Sequence, residues 1–446
     1  MLIVLLILAV AFIVVSTTKF KLHPFLALIF AAIGFGLLSG MPFAEIVNSV
    51  NSGFGDIVGH IGLVIVIGCI IGTFLEESGG AYVMAQGIVR LAGKKRVPLA
   101  MLIVGCFISI PVYADSGFVI LSPLNKAITK KSGISLACTA IALSLGLTIT
   151  HCLVPPTPGP VAATAILGAD LGLVILIGLI VSVFVAAESY FFVTRYASRT
   201  YIDPDPDGEI TVEEDDAKDK PSALRSFLPV VVPLVLIVLK SISDFPGAPF
   251  GEGVAASVLR FIGEPVIALI IGMILSFFLP KKFDRELLST TGWVGKSLTS
   301  AAVIIMITAA GGSFGMILRN SGIADILGES LAGANVGIWL PFIIAAALKS
   351  AQGSSTVAIV TTASLIAPMM EALGFVSPVG KALAVMSLCS GAMVMSHVND
   401  SFFWVVTQLS GMNVKTGCKL HGLGTLLGGL TAMLVVWIGY MIFCYI

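Results

Sequence analysis

Apolar residues run in long, nearly uninterrupted stretches along the whole chain, separated by short polar segments. A helix of about 20 apolar residues is long enough to cross the hydrocarbon core of a bilayer. The pattern therefore predicts an all-α polytopic membrane protein with about ten transmembrane helices. The predicted spans are 1–17, 22–39, 57–75, 134–168, 171–193, 226–242, 257–279, 298–318, 378–411 and 420–446.

Two further apolar stretches, 97–131 and 337–375, do not fit single spans. Each has two arms of about 15 residues around a polar centre, and such arms are too short to cross the membrane separately. Irregular backbone at membrane depth is tolerated only where protein or a cavity surrounds it. We therefore predict two re-entrant helical hairpins, with tips near 112–118 and 350–358.

Composition and charge agree with a membrane protein. Hydrophobic residues make up 57% of the chain, charged residues only 11%, and the mean hydropathy is +1.05. A formal net charge of zero gives no sign of a nucleic-acid partner. Because Lys and Arg collect in cytoplasmic loops, their distribution places both termini outside a bacterial-type inner membrane. The first apolar run has no basic residues before it and no cleavage pattern after it, which predicts a retained span.

The seven cysteines are scattered through apolar segments and form no CxxC pair. Neither a disulfide framework nor a zinc site is indicated, and we expect no cofactor and no bound metal.

The two halves of the chain echo each other. The segment 73–93 resembles 313–333, and each half holds five predicted spans and one hairpin. We predict a first repeat over 1–199, an acidic cytoplasmic linker over 200–225 and a second repeat over 226–446. Since an odd number of crossings precedes the linker, the second repeat is inverted relative to the first, which is the architecture of many secondary transporters.

The segment "THCLVPPTPGP" (150–160) places four prolines inside the predicted span 134–168. Proline in a helix interior costs about 3 kcal/mol, so we predict a broken helix there. At the equivalent place in 378–411, "SHVNDSFFW" (396–404) supplies polar side chains instead. Broken helices leave free amides that suit a carboxylate and free carbonyls that suit a cation. A proline kink that only shapes packing is the alternative.

We predict that the substrate lies where the two breaks meet the two hairpin tips, near the middle of the membrane. The predicted substrate-binding residues are Asp115, Ser116, Gly117, Pro155, Pro156, Thr157, Gly159, Gly353, Ser354, Ser355, Thr356, Asn399 and Ser401. The candidate proton carriers are Asp115, His151, His397 and Asp400.

Structural roles compete with each of these assignments. Asp115 could pair with Lys349, a Ser/Thr-rich tip could cap short helices, and a buried histidine could simply be satisfied. Lys349 could face either the anionic substrate or Asp115. The linker segment "DPDPDGEITVEE" (203–214) fits the spacing of a calcium-binding loop, but its prolines argue against paired flanking helices, and a solvated linker is the better interpretation.

The motifs "HCLVPPTPGP", "GSSTVA" and "SHVNDSFFW", together with the hairpin layout, resemble the gluconate permease (GntP-type) family of proton symporters. The resemblance covers essentially the whole chain. It implies a homodimer with a scaffold and a mobile transport part that moves small organic acids with protons. It also implies site residues at Asp115 and its neighbours, and in the ranges 151–159, 353–356 and 397–401.

This chain departs from the better-known gluconate members of that family. It has Thr157 where they have a histidine, Asp115 and Ser116 where they have Glu-Val, Lys349 for an arginine and Ser355 for an alanine. The site is therefore reshaped, and gluconate, another sugar acid, a shorter hydroxy acid such as glycerate, or D-serine all remain open.

The sequence thus predicts proton-coupled uptake of a small organic acid by an elevator-type mechanism. A sodium-coupled carboxylate symporter and a D-serine-type amino acid/proton symporter are the alternatives. A membrane-embedded enzyme is not expected, because no HExxH motif or nucleophile elbow occurs. A passive channel is less expected still, since hairpins entering from opposite sides favour an occluded site.

Overall fold

The computed structural model describes residues 2–93, 96–206, 220–244, 250–251, 253–323 and 337–444, and within these ranges the chain forms helices and no strands. The first half contains α1 (Leu2–Thr18), α2 (Pro24–Leu38), α3 (Phe43–Glu77), α4 (Gly80–Ala92), α5 (Val97–Ile108), α6 (Ala114–Ser132), α7 (Leu136–Leu153), α8 (Pro158–Ile166) and α9 (Leu171–Arg195). The second contains α10 (Ala223–Ser243), α11 (Val254–Ile262), α12 (Pro265–Ser276), α13 (Trp293–Asn320), α14 (Trp339–Gln352), α15 (Ser355–Ile366), α16 (Pro378–Met393), α17 (Ser401–Leu409), α18 (Val414–Gly417) and α19 (Leu423–Cys444).

The described helices include six that are long and apolar enough to cross a membrane, or seven if α11 and α12, bent by 69°, form one span. The predicted number of about ten is not reached by this measure. The helices α1 and α2 have only 17 and 15 residues, fewer than the roughly 20 that a straight crossing needs. The predicted span 257–279 is divided between α11 and α12 because Pro265 starts a new helix and cannot continue the old one.

The helix α3 begins at Phe43, well before the predicted start at residue 57. Polar residues at positions 45–56 concealed this part of the helix in the hydropathy pattern. Packing against α13 stabilises this part of α3. Gly53 of α3 and Gly312 of α13 approach so closely that a Cβ on either would overlap the other's carbonyl. The final helix also starts earlier than predicted, at Val414, and passes through a π-helical turn, Cys418–Gly422.

Helices are interrupted at four places that the sequence marks with proline, glycine or polar residues. The first hairpin turns between α5 and α6, and the second turns at Gly353, whose φ is 84°. The prolines at 155 and 156 separate α7 from α8, and the segment 394–400 separates α16 from α17. The peptide bond between Pro155 and Pro156 is cis.

The long arms of the two broken helices form the centre of the molecule. The span that includes α7 is 94% buried, whereas the span that includes α19 is 28% buried. The helix α7 packs between α5 and α9, and α16 packs between α14 and α19. Close backbone contact makes the first of these packings possible, because Gly146 faces the Leu102 carbonyl of α5.

The short arms cross from one half of the chain to the other. The helix α8 packs against α15 of the second hairpin, and α17 packs against α6 of the first. At the side of this group, α3 packs against α13, α2 lies on α13, and α12 lies on α3. The interruptions of the two halves are therefore brought to one place.

Only part of the acidic linker lies in the described ranges. Asp205 pairs with Lys130 at 2.6 Å, and its amide donates to Asp203 Oδ1. The remaining members of the calcium-loop pattern, Asp207 to Glu214, lie outside the described residues, so that assignment stays a prediction. Residues 324–333 of the second repeat segment lie outside them as well.

We expect Gly146→Ala to destabilise the protein, because the added Cβ would overlap the Leu102 carbonyl. Overpacking of this kind costs about 1–3 kcal/mol, so the thermal unfolding temperature of the purified protein should fall. The matched control is Gly34→Ala in α2, where a Cβ meets no atom within 4 Å. Equal stability of the two variants would show that α5 and α7 are not in close contact.

Candidate functional site

A cavity of about 300 Å³ lies where the two hairpin tips meet the break between α16 and α17 and the end of α7. This volume is at the lower end of the range typical of small-molecule sites. The predicted site residues on its wall are Asp115, His151, Gly353, Ser354, Ser355, Thr356, Asn399, Asp400 and Ser401. Thr148, Met393, Ser396 and Phe402, which were not predicted from the sequence, also line it.

Three helices begin at the wall of this cavity: α6, α15 and α17. The first amides of a helix have no carbonyl partner within it, and they carry the positive end of the helix dipole. In α15, Ser354 Oγ accepts from the Val357 amide at 3.3 Å, which leaves the amides of Ser355 and Thr356 for other acceptors. The wall of the cavity therefore favours an anion.

A buried ion pair lies at the same wall: its lysine adds positive charge, and its aspartate balances that charge. Lys349 is 2% exposed and Asp400 is 7% exposed, and Lys349 Nζ lies 2.6 Å from Asp400 Oδ2. The ammonium group also donates to the Gly353 carbonyl at the hairpin tip. Asp400 Oδ1 accepts from the Phe402 amide at 3.0 Å and so caps α17. One pair thus connects the tip of the second hairpin to the start of α17.

The sequence left two partners open for Lys349, the anionic substrate and Asp115. In the structure its carboxylate partner is a third group, Asp400. Asp400 is also a predicted proton carrier, and it lies on the cavity wall in contact with a cation.

Several polar atoms at the cavity have no hydrogen-bond partner within the protein. They are Asp115 Oδ1, His151 Nδ1, and both Nε2 and Oε1 of Gln352. An unsatisfied buried polar group costs about 1–3 kcal/mol, so such groups are rare away from functional sites. Their convergence on one cavity indicates a ligand with its own donors and acceptors.

The prolines of the first break do not line the main cavity. Pro156 and Thr157 instead line a smaller neighbouring cavity, together with Tyr113 and His151. Pro155 is buried, and Thr157 Oγ1 donates to the Val154 carbonyl at 2.6 Å. Because proline has no amide proton, this break offers few donors. The free amides at the main cavity therefore belong to the starts of α6, α15 and α17, and not to residues 155–159.

Two predicted glycines serve close packing around the cavity. A Cβ on Gly159 would touch Ile359 Cδ1 at 2.8 Å, and a Cβ on Gly117 would touch Leu147 Cδ2 at 2.9 Å. The first contact holds α8 against α15, and the second holds α6 against α7. Neither glycine lines the cavity.

The remaining two predicted residues also lie off the wall. Ser116 is partly buried beside Asp115 and is not part of the lining. His397 Nε2 lies 3.1 Å from the Ser350 carbonyl, to which Asn399 Nδ2 donates at 2.8 Å. His397 therefore joins the second break to the second hairpin and does not face the site.

A polar side chain behind the cavity wall, His421, was not predicted from the sequence. His421 is fully buried, and its Nε2 lies 3.1 Å from Ser396 Oγ. Ser396 Oγ in turn lies 2.5 Å from Asp400 Oδ2. The signal was present, because an ionisable residue within an apolar membrane segment is a functional candidate by default. Within the described ranges, no three His, Cys, Asp or Glu side chains are grouped as metal ligands.

Comparison with known proteins identifies related sequences and folds. The family model described as GntP family permease matches residues 1–442. A gluconate permease of Pseudomonas aeruginosa is 35% identical, over 91% of this chain and 90% of its own length. The D-serine transporter DsdX of Escherichia coli K12 is 31% identical, over 96% of each chain. The crystal structure of the Alcanivorax borkumensis YdaH transporter has a TM-score of 0.64 at 15% identity and covers 94% of this chain and 99% of its own.

We expect Lys349→Met to destabilise the protein strongly, because it leaves the buried carboxylate of Asp400 without its cation. Removing one partner of a buried pair costs about 3–5 kcal/mol, which thermal unfolding of the purified protein would detect. The double variant Lys349→Met, Asp400→Asn should recover part of that loss.

The control is Lys296→Met, which breaks the exposed pair with Glu77 at 2.8 Å. Exposed pairs contribute about 0–1 kcal/mol. If both lysine variants were equally stable, Lys349 and Asp400 would not form a buried pair in the membrane.

Proposed function

The chain belongs to the GntP family of permeases, and from that premise we propose that it is a proton-coupled symporter for a small hydroxylated or amino carboxylate. Membership confirms the resemblance seen in the sequence motifs, and it supports a membrane transporter. The substrate class, the coupling ion and the mode of movement are the proposal. The observation that carries it is the convergence of three helix N-termini and a buried lysine on one small cavity.

In this proposal the substrate carboxylate lies against the starts of α15 and α17. The amides of Ser355, Thr356 and Ser401 are without helical partners, and Lys349 supplies a full positive charge nearby. A carboxylate accepts several such hydrogen bonds at once. This places the anionic end of the substrate in the second half of the chain.

The rest of the substrate faces the partnerless atoms of Asp115, His151 and Gln352. A carboxylate oxygen accepts, and an amide both donates and accepts, so this part of the site suits hydroxyl or ammonium groups and not a bare hydrocarbon. Sugar acids, short hydroxy acids and serine all carry such groups beside a carboxylate. The substrates in the names of two relatives, a gluconate permease and a D-serine transporter, fall within this class.

Protons are the proposed coupling ions because the cavity contains groups that exchange them. Asp115, His151 and Asp400 lie on its wall, whereas His397 lies off it and is the weakest of the four predicted carriers. A carboxylate at membrane depth is costly unless it is paired, so uptake of a proton together with an anion keeps the site close to neutral.

We infer that the four interrupted elements move as one body. The inverted repeat is supported by matching contacts: α5 packs on α7 as α14 packs on α16, and α8 meets α15 as α17 meets α6. The helices α2, α3, α12 and α13 would form the scaffold of an elevator-type transporter, and a homodimer of such scaffolds in the inner membrane, with both termini outside, completes the proposal.

The proposed boundary between scaffold and moving body is lined by glycines. Gly68 lies near Pro156, and a Cβ on Gly72 would overlap the Pro111 carbonyl. On the other side, Gly311 and Gly315 face Ser364 of α15. Small residues let helices approach closely and offer few interlocking side chains, which suits surfaces that slide past each other.

Counterflow in proteoliposomes tests the transporter assignment. Vesicles loaded with unlabelled gluconate, D-glycerate or D-serine should accumulate the same compound in labelled form, since only a carrier exchanges. Gradients of pH and of sodium, imposed separately, then decide the coupling ion. Uptake that follows the sodium gradient and does not depend on the pH gradient would show that the coupling ion is sodium and not the proton.

We expect Gln352→Leu to weaken substrate binding about tenfold, because one hydrogen bond is worth about 1 kcal/mol and an unpaired substrate group costs more. The change should appear as a raised KM with a smaller effect on kcat. Gln408→Leu is the matched control, since Gln408 is exposed on α17 and does not line the cavity. An unchanged KM in Gln352→Leu would remove Gln352 from the site.

A further inference from the structure

A chain of buried hydrogen bonds leads from Asp400, at the cavity wall, to His421. Ser396 Oγ lies 2.5 Å from Asp400 Oδ2 and 3.1 Å from His421 Nε2. On the far side of the imidazole, Nδ1 lies 3.2 Å from Ser144 Oγ. Ser144 and His421 are fully buried and Ser396 is 3% exposed, so bulk water does not reach these groups.

The hydrogen bonds of Ser144 are compatible with a permanent proton on Nδ1 of the imidazole. Ser144 Oγ lies 3.0 Å from the Ile141 carbonyl, which can only accept. When the one Ser144 hydroxyl proton is donated to this carbonyl, Ser144 accepts from His421 and Nδ1 is the donor, and this is the tautomer that the proposal uses. The nitrogen that gains or loses a proton is therefore Nε2, which faces Ser396.

An added proton can occupy either end of this chain while every heavy atom stays in place. With the proton on Asp400, the carboxyl O–H donates to Ser396 Oγ, and the Ser396 hydroxyl donates to His421 Nε2. When both protons shift, an O–H bond breaks at Asp400, an N–H bond forms at Nε2, and Ser396 exchanges one proton for another. Asp400 is then a carboxylate, His421 is an imidazolium, and all hydrogen bonds are kept.

The position of Lys349 connects this chain to the substrate. Without the added proton, Lys349 and Asp400 cancel each other's charge. With it, the cluster holds one uncompensated positive charge at either location of the proton. A substrate carboxylate near Lys349 balances that charge, and an unbalanced charge at membrane depth is costly.

We propose that Asp400, Ser396 and His421 form a proton store behind Lys349, and that one proton enters it with each substrate carboxylate. The inference rests on the proposed transport function and adds the residues that couple the proton to the anion. His421 is a positioning residue in this scheme, because it holds the proton without touching the substrate. The proton enters from the cavity at Asp400, which lies on its wall.

Other groups on the surrounding elements also bind protons or carry charge. They are Asp115 on α6, His151 and Cys152 on α7, Lys349 on α14, His397 before α17, and the exposed Lys415 and Lys419 beside the π-helical turn. Replacing His421 leaves all of these in place. We therefore expect the variant to lose one proton linked to substrate binding, while the other effects of pH on binding remain.

The test compares wild type with His421→Gln in binding of labelled gluconate, or of labelled D-glycerate if the wild type does not exchange gluconate. Each proton linked to binding changes Kd about tenfold per pH unit on the alkaline side. We expect the slope of log Kd against pH to fall by about one in the variant, while counterflow at a fixed pH continues. His60→Gln is the control, since His60 is exposed and its Nδ1 lies 2.6 Å from the Asp56 carbonyl of its own helix.

Ser396→Ala is the second variant, because it removes the hydroxyl that joins Asp400 to His421 and should produce the same loss of slope. If His421→Gln does not fold, Ser396→Ala decides. An unchanged slope in a variant that still performs counterflow would overturn the proton store and leave the transporter assignment intact. A wild type that exchanges none of the tested acids would contradict the proposed function itself.

Discussion

The structure depends on one constraint: no water is available at membrane depth to satisfy a broken backbone. At the second hairpin and the second break, polar side chains therefore satisfy backbone groups. Lys349 donates to the Gly353 carbonyl, Asn399 donates to the Ser350 carbonyl, and Asp400 accepts from the Phe402 amide. The Asn399–Ser350 hydrogen bond and the Lys349–Asp400 ion pair join these two elements, and the polar cavity lies beside them.

The same repairs determine what the cavity can bind. The Gly353 and Ser350 carbonyls are occupied by side-chain donors, whereas the amides of Ser355 and Thr356 have no partner within their helix. The buried Lys349 would make the cavity strongly positive if Asp400 did not balance it. In the proposed mechanism, a proton taken up by this cluster balances the charge of the bound anion.

Sequence reasoning located the interruptions because they have local causes. Four prolines between residues 155 and 160 cannot form a regular helix, and a polar tip inside an apolar stretch cannot face lipid. Helix starts at the cavity wall followed from the same features, and most of the predicted polar residues at these starts line the cavity. Relatives of the GntP family then confirmed the resemblance of the motifs.

What the sequence did not reveal are contacts between distant segments. Ser144 and His421 are 277 positions apart, and nothing local to either marks them as partners. The pairing of Lys349 with Asp400, 51 positions apart, and the early start of α3, which packs against α13, likewise depend on contacts between distant segments. The prolines were correctly assigned to a break, but because they lack amide protons, the helix starts at the cavity wall belong to α6, α15 and α17.

The most direct test of the central claim is a cryo-EM structure with gluconate or D-glycerate bound. The account predicts density for the carboxylate between Lys349 Nζ and the amides that begin α15, with the hydroxyl groups beside Asp115 and Gln352. Substrate density elsewhere, for example in the cavity lined by Asp56 and Arg319, with the Lys349 cavity empty, would contradict it.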